Sequence, residues 1–209
     1  MAFIMLDWLE LLGRLPAEVW LVPPAVIIAV WLGVGLALHR ARLRRYRAIA
    51  ARTGLTVTPG IFKPSQVHGT FRGRALAMHA ASARPEVFSL RRRWTVVTVG
   101  VKNPSSVGMK IRRKDVVDRL LRLRNIESGD REFDRRFLVN SHDTGAAVRI
   151  VSDPAVRQGL LNAYVSTVRL YSTSLNLFYA KEERDPEHAQ QLFDAAVCLA
   201  DAVDAIKYP

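Results

Sequence analysis

The chain contains almost no cysteine, since Cys198 is the only thiol among 209 residues. A lone cysteine excludes an intramolecular disulfide and a metal cluster built from several cysteines. Cys198 lies in the apolar run 195–200, where a free cysteine behaves as a small hydrophobic residue. We therefore expect it to have a packing role.

Motifs for catalysis and phosphate binding are also missing. No serine stands in a Gly-x-Ser-x-Gly pattern, and neither Gly69 nor Gly73 is followed by the Lys-Ser/Thr pair of a P-loop. A zinc site needs at least three convergent ligands, but the histidines show no paired ligand spacing. They are His39, His68, His79, His142 and His188. The sequence predicts no catalytic residue, cofactor or metal. The alternative is an enzyme whose active site matches no familiar motif.

Acidic residues are scarce beside basic ones. The 31 lysines and arginines exceed the 19 aspartates and glutamates, which gives a net charge of +12. The excess lies in residues 39–124, with 21 basic and 3 acidic side chains, whereas residues 125–209 have 9 and 13. This distribution predicts an anionic partner, either lipid headgroups or nucleic acid.

Charge is absent from residues 19–38, an apolar run of twenty residues. As an α-helix at about 1.5 Å per residue it would span about 30 Å, the thickness of the hydrocarbon core of a bilayer. The run therefore predicts one transmembrane helix, with a buried core helix as the alternative. Because proline donates no backbone hydrogen bond, we expect the regular helix to begin near Pro23, at the Pro23-Pro24 pair.

Five arginines follow this run directly: Arg40, Arg42, Arg44, Arg45 and Arg47. Positive charge within about 15 residues of a span marks its cytoplasmic side. The predicted topology places a short N-terminus outside the cell membrane and the C-terminal domain inside. A cleaved signal peptide is the alternative, since Gly-Leu-Ala at 35–37 resembles a cleavage site, but the acidic N-terminal region and the arginines oppose it.

Before the span, residues 3–15 are apolar apart from Asp7, Glu10 and Arg14. These three fall on one narrow stripe of a helix, with Glu10 and Arg14 in pairing position. Such a helix could lie in the membrane interface, extend the span or contact a partner subunit. The predicted organisation is a short segment at 1–18, the span at 19–38, a basic juxtamembrane helix at 39–52 and a cytoplasmic domain at 53–209.

The patterning after the span predicts an α+β domain, with a mostly antiparallel sheet packed with helices. Gly54 should stop the juxtamembrane helix just beyond Ala51. A tight hairpin turn is predicted at Arg72-Gly73. Strands are expected at 55–58, 66–71, 74–80, 94–101, 136–139, 167–171 and 175–180. Helices are expected after Asp115, over residues 144–164, and after Asp185.

Basic clusters should hold this domain against an anionic membrane surface, where each nearby Lys or Arg gains about 1 kcal/mol. The candidate contact residues are the five arginines of 40–47 together with Arg91, Arg92, Arg93 and Trp94. Tryptophan favours membrane interfaces, so the cluster at 91–94 is the stronger candidate for membrane contact. Alternatively, these arginines only keep the edge of a strand hydrated and so prevent it from pairing with another chain.

Residues 128–137 read Ser-Gly-Asp-Arg-Glu-Phe-Asp-Arg-Arg-Phe. After Gly129, Asp130 is suited to cap a short helix, and Phe133 and Phe137 fall one turn apart on its buried side. The segment is therefore predicted to be a local structural unit.

The acidic residues of this segment also suggest a cation site, because Asp130, Glu132 and Asp134 alternate as in a calcium loop. An EF-hand needs glycine at its sixth position and glutamate at its twelfth, where this chain has Arg135 and Ser141. We therefore expect salt bridges with neighbouring arginines instead.

The Gly-Asp-x-x-Phe-Asp-x-x-Phe pattern of this segment, residues Gly129, Asp130, Phe133, Asp134 and Phe137, resembles that of uncharacterised bacterial membrane-anchored proteins with a domain of unknown function. A fainter likeness lies in the Gly-Thr-Phe-Arg-Gly-Arg hairpin at 69–74. The resemblance implies a shared fold and supplies no activity.

These features together predict a membrane-anchored cytoplasmic module that binds a protein partner or the bilayer. The runner-up is a membrane-tethered nucleic-acid-binding protein, because Phe71 and Trp94 stand among the arginines of the basic half.

Overall fold

The computed structural model describes residues 17–60, 64–81, 93–115, 118 and 125–206. Its first element, α1, is a helix of 37 residues that spans Ala17–Thr53. The helix begins well before the expected start at Pro23, so both prolines lie inside it. A proline removes one hydrogen bond to the preceding turn, and here the neighbouring turns continue the helix across that gap. The amphipathic segment predicted at 3–15 lies outside the described residues.

The end of α1 belongs to the folded domain. The chain divides into two compact units between Leu43 and Arg44, and beyond this point Tyr46 and Ile49 are 2% and 0% exposed. Gly54 ends the helix with a φ of +71°, a left-handed conformation that glycine adopts without steric cost. The last turns of α1 thus contribute to the domain's core.

In the described part of the chain, eight strands form one sheet in the order β1-β2-β3-β4-β8-β7-β5-β6, and all neighbouring strands are antiparallel. They are β1 (Thr56–Thr58), β2 (Gln66–Phe71), β3 (Arg74–Ala81), β4 (Trp94–Gly100), β5 (Met109–Arg113), β6 (Phe137–Ser141), β7 (Thr167–Leu170) and β8 (Ser174–Tyr179). The last strand, β8, returns to pair with β4 and so joins the two halves of the domain.

The β2–β3 connection has the tight turn that its sequence predicts. Arg72 and Gly73 have φ values of +49° and +80°, as a two-residue hairpin turn with matching twist requires. Phe71 pairs with Arg74 directly across this turn.

Among the described residues, four further helices accompany the sheet: α2 (Arg131–Arg136), α3 (Thr144–Val151), α4 (Pro154–Asn162) and α5 (Pro186–Asp204). An aspartate caps each of them by accepting hydrogen bonds from backbone N–H groups of the first turn, and such a cap typically stabilises a helix by about 1 kcal/mol. The caps are Asp130, Asp143, Asp153 and Asp185. The helix predicted after Asp115 lies outside the described residues except for Asp118, which is helical.

The core lies between the sheet and its helices. Val97, Val99 and Leu177 on the central strands are at most 1% exposed, and Leu192 and Leu199 on α5 are fully buried. Each such side chain contributes roughly 1.5–3 kcal/mol by leaving water. The predicted α+β class, with an apolar N-terminal helix before an antiparallel sheet packed with helices, is confirmed.

One strand, β5, has no counterpart among the predicted elements. Its Met109 and Ile111 are buried, whereas Lys110 and Arg112, which alternate with them, are half-buried on the opposite face. Three of its five residues are basic, which weakens the apolar alternation by which short strands are recognised. Pairing with β6 and β7 on its two sides defines it as a strand.

Candidate functional site

The apolar half of α1 is the most unusual surface among the described residues. Residues 26–38 are all exposed, and Trp31 and Leu32 reach 71% and 69% exposure. The portion Val26–Thr53, with a mean hydropathy of 1.6 in its most apolar stretch, is long and apolar enough to cross a membrane. A helix in the core of this chain would not leave these side chains open. Contiguous apolar surface of this kind marks contact with a membrane or another protein.

The five arginines predicted to contact the membrane surface all lie on α1. Four of them, Arg40, Arg44, Arg45 and Arg47, are exposed. Arg42 is half-buried and interacts with another group of the protein. Arg40 and Arg42 precede the division between the two units, and the other three belong to the domain. Their contact with lipid stays a prediction.

The second predicted contact cluster is only partly described, because Arg91 and Arg92 lie outside the described residues. Arg93 is exposed, and its guanidinium forms an ion pair with Glu182 at 3.1 Å. Trp94 is only 8% exposed, so its ring packs in the domain and is not a surface anchor. This burial corrects the expected lipid contact of Trp94.

The aromatic residues that motivated nucleic-acid binding do not present open rings. Phe71 packs edge to face on Phe193, with ring centroids 5.7 Å apart, and Trp94 is buried. Base stacking on single-stranded nucleic acid requires accessible aromatic faces. These two residues therefore give no support to that hypothesis.

The segment around Asp130 folds as a compact local unit. Gly129 has a φ of +83°, and the Asp130 carboxylate accepts hydrogen bonds from the backbone N–H groups of Glu132 and Phe133 at 2.8 and 3.1 Å. The rings of Phe133 and Phe137 lie 4.9 Å apart at their centroids, and both are buried. The segment thus joins α2 to β6 through one aromatic pair.

The carboxylates of this segment bind protein groups. The hydrogen bonds from Phe133 and Glu132 lower the pKa of Asp130 despite some desolvation, and Arg157 lies 3.4 Å from its carboxylate. Asp134 accepts from the backbone N–H of Ser128 at 2.9 and 3.2 Å. Over the described ranges no group of three His, Cys, Asp or Glu residues is placed to hold a metal ion.

Next to this segment lies a pocket whose described lining is entirely basic. Arg113, Lys114, Arg135 and Arg136 surround a cavity of about 550 Å³, which we call the cationic pocket. It forms because the end of β5 pairs with the start of β6, where Arg113 is opposite Phe137. Sequence reasoning missed it, because its residues come from two stretches that only the pairing of β5 with β6 brings together.

Several contacts hold Lys114 and Arg136 in the cationic pocket. The backbone N–H of Lys114 donates to the carbonyl oxygen of Arg136 at 2.8 Å. The side-chain ammonium of Lys114 donates to the carbonyl oxygen of Asp134 at 2.6 Å. Arg136 forms an ion pair with Glu132 at 2.7 Å. Among the described residues, no carboxylate pairs with Arg113, Lys114 or Arg135. Within the described part of the chain, three of the four cations of the pocket therefore have no acidic partner.

A second cluster of titratable groups joins the loop before α5 to its first turns. The Nδ1 of His188 is hydrogen-bonded to the Glu183 carboxylate, and its Nε2 lies 3.2 Å from the carbonyl oxygen of Ala163. The bond to Glu183 raises the pKa of His188. Burial alone would raise the pKa of Glu183, but hydrogen bonds from His188 and from two backbone N–H groups lower it. The cluster is an ion pair whose strength depends on pH.

We predict that the free energy of unfolding falls as the pH rises through the folded-state pKa of His188. Because folding raises this pKa, protonated His188 stabilises the fold fully below its ordinary value of 6.5 and loses that contribution at higher pH. A hydrogen bond between charged groups contributes about 1.5–3 kcal/mol, which bounds the effect. Urea denaturation of the full-length chain in a non-ionic detergent, repeated over a pH series, measures it.

The matched control is His188→Gln, which keeps a hydrogen-bond donor but cannot titrate. Subtracting the two pH curves isolates His188, because His79, whose pKa is lowered by burial, titrates in both proteins. Parallel curves for the two proteins above pH 6.5 would contradict a stabilising ion pair with Glu183.

Comparison with known proteins gives a similarity of fold and no family. No protein-family model matches the chain, and no curated protein sequence matches it. The crystal structure of the mycobacterial trehalose monomycolate transport factor A, TtfA, is similar, with a TM-score of 0.51 and 14% sequence identity. The match covers 79% of this chain and 97% of that chain. At this identity the likeness concerns the fold alone.

Proposed function

We propose that this protein is a single-pass, membrane-anchored module without catalytic activity, which binds a protein partner or the bilayer surface through its basic α+β domain. The exposed apolar stretch of α1 carries the proposal. Its large side chains, including Trp31 and Leu32, lie open to solvent in the isolated chain. Each buried square ångström of such surface stabilises by about 25 cal/mol, so lipid is its favourable environment.

The orientation is part of the same proposal. The arginines of residues 40–47 follow the apolar stretch, and arginine near the end of a span remains on the cytoplasmic side. We propose that the domain lies inside the cell and faces the anionic inner leaflet of the cell membrane. Exposed Arg44, Arg45 and Arg47 are then suited to contact phospholipid headgroups.

A binding role rather than a catalytic one has two supports. TtfA, which is similar in fold, is named a transport factor, and we propose that the segment at 128–137 relates the chain to membrane-anchored bacterial proteins to which no activity is assigned. We propose that this chain likewise serves a membrane process as an accessory protein. Co-purification of the full-length chain from membranes would identify the partner.

Reporter fusions test the topology directly. A fluorescent protein that matures only in the cytoplasm should be bright at the C-terminus, whereas alkaline phosphatase at the same position should be inactive. The same two fusions at the N-terminus are the matched control. There the fluorescent protein should be dark and the phosphatase should be active. Active phosphatase at the C-terminus would overturn the orientation, and an intact mass lacking the residues before 38 would show a cleaved signal peptide instead of an anchor.

A further inference from the structure

We propose that the cationic pocket binds a phosphate group. Its described lining consists of Arg113, Lys114, Arg135 and Arg136 around about 550 Å³ of space. A guanidinium presents a planar fork of N–H donors that matches two phosphate oxygens, and an ammonium adds a compact point charge. Four such groups around one cavity suit a tetrahedral anion better than a carboxylate, which offers only two oxygens.

The acidic residues near the pocket in sequence have partners other than Arg113, Lys114 and Arg135, including Asp115, which accepts from the backbone N–H of Asp118 at 2.8 Å. Glu132 neutralises Arg136 alone, at 2.7 Å. Asp134 accepts from the backbone of Ser128, and Asp118 is paired with Arg112. The charges of Arg113, Lys114 and Arg135 consequently remain to attract an anion.

The backbone that carries two of the donors is held in place before any ligand arrives. The backbone N–H of Arg113 donates to the carbonyl oxygen of Ser166 at 2.9 Å, and that of Lys114 donates to Arg136 at 2.8 Å. The Arg113 guanidinium lies 6.0 Å from the ring centroid of Tyr164. Donors that are already positioned lose less entropy when a ligand binds, which raises affinity.

A purely structural explanation accounts for only part of the pocket. Lysine at the C-terminal end of a helix stabilises its last carbonyls, and the Lys114 ammonium bonds the carbonyl of Asp134 in this way. Arg113 and Arg135 donate no such bond among the described residues, and both residues are exposed. Arg113 contacts the ring of Tyr164 and Arg135 lies in the last turn of α2, but such contacts at exposed positions contribute only about 0.3–1 kcal/mol each.

The phosphate has two possible sources, the headgroup of an anionic phospholipid and a soluble phosphate. Only the first source rests on the proposed membrane anchoring. The four cations line one cavity, whereas nucleic acid is normally held along a groove that follows several phosphates and stacks bases on aromatic rings. We therefore favour a single phosphate group over nucleic acid.

The experiment uses the full-length chain in dodecyl maltoside micelles. Isothermal titration with inorganic phosphate forms one arm, and native mass spectrometry after doping the micelles with phosphatidylglycerol or phosphatidylcholine forms the other. The pocket variant combines Arg113→Gln, Lys114→Gln and Arg135→Gln. We expect it to bind about tenfold or more weakly than the wild type, because charge-assisted hydrogen bonds are the strong ones.

The matched control combines Arg149→Gln, Lys181→Gln and Arg184→Gln, which removes the same number of arginines and lysines as the pocket variant, but from exposed positions outside the pocket. Near-UV circular dichroism checks that each variant folds. Should the triple variant unfold, Arg135→Gln alone repeats the comparison, since its exposed side chain has no ion pair among the described residues.

Each result decides the assignment. If the wild type and the control retain phosphatidylglycerol, the pocket variant loses it, and none of the three binds inorganic phosphate, the assignment is supported with a lipid headgroup as the source. Loss in both arms supports a soluble phosphate, whether or not the chain is anchored in a membrane. Equal binding by the pocket and control variants, or no binding by the wild type, overturns the proposal. Single-stranded DNA is titrated in a third measurement. If the pocket variant loses affinity only for this DNA, and binds phosphate and phosphatidylglycerol as the wild type does, the proposal is overturned in favour of nucleic acid.

Discussion

Replacing Ile28 and Leu32 by aspartate together should release the full-length chain from membranes. The two residues lie one helical turn apart in the exposed apolar stretch of α1, at 59% and 69% exposure. An aspartate at the centre of a spanning helix costs about 2.5–3.5 kcal/mol, so two cost about 5–7 kcal/mol. This cost corresponds to a loss on the order of 10⁴-fold in membrane partitioning.

Alkaline carbonate washing of isolated membranes, followed by immunoblotting of pellet and supernatant, measures the change. The wild type should remain in the pellet, and the double aspartate variant should appear in the supernatant or be degraded. The matched control is the variant with Ile28→Ala and Leu32→Ala, which shortens the same side chains without adding charge and should stay in the pellet. Retention of the aspartate variant would show that the domain or a partner, rather than α1, holds the chain at the membrane.

Elements encoded by adjacent residues could be predicted from the sequence. The turn at Arg72-Gly73 needs left-handed φ values, and glycine after a strand signals them locally. The start of α5 likewise depends on neighbours, since Asp185 caps the helix and Pro186 occupies its first turn. In both places a few consecutive residues hold all the required information.

Elements defined by distant pairing could not be predicted in the same way. The strand β5 alternates buried and basic residues over only five positions, and it is stabilised by β6 and β7 on either side. The position of β8 beside β4 rests on pairs such as Thr95 with Tyr179, which lie far apart in the chain. No local period encodes such neighbours.

Exposure was the least predictable property of the candidate site residues. Trp94 stands next to arginines in the sequence, which suggests an interface anchor, but the packing of the sheet buries it. Conversely, Arg113 and Arg135 look unremarkable in separate stretches, and only the pairing of β5 with β6 brings their side chains to one cavity. Surface sites of this kind depend on tertiary geometry more than on composition.

Replacing Phe133 by alanine should destabilise the domain by about 3–5 kcal/mol. Phe133 is fully buried on α2, and its ring packs on that of Phe137 at 4.9 Å. Truncation removes the hydrophobic contacts and leaves a cavity between α2 and β6 that the surrounding backbone fills only in part. Because a typical domain is stable by only about 5–15 kcal/mol, the loss should be a large share of the total.

Urea denaturation of the full-length chain in a non-ionic detergent, followed by near-UV circular dichroism, measures this loss. The matched control on the same short helix is Glu132→Ala, which removes the ion pair with Arg136 between side chains that are 55% and 36% exposed. Exposed pairs of this kind contribute at most about 1 kcal/mol, so the control should unfold almost as the wild type does. Similar losses in both variants would show that the segment at 128–137 acts through its charges. A loss confined to Phe133→Ala would instead establish the aromatic pair as the contact that holds α2 on the sheet, and with α2 the two arginines that line one side of the cationic pocket.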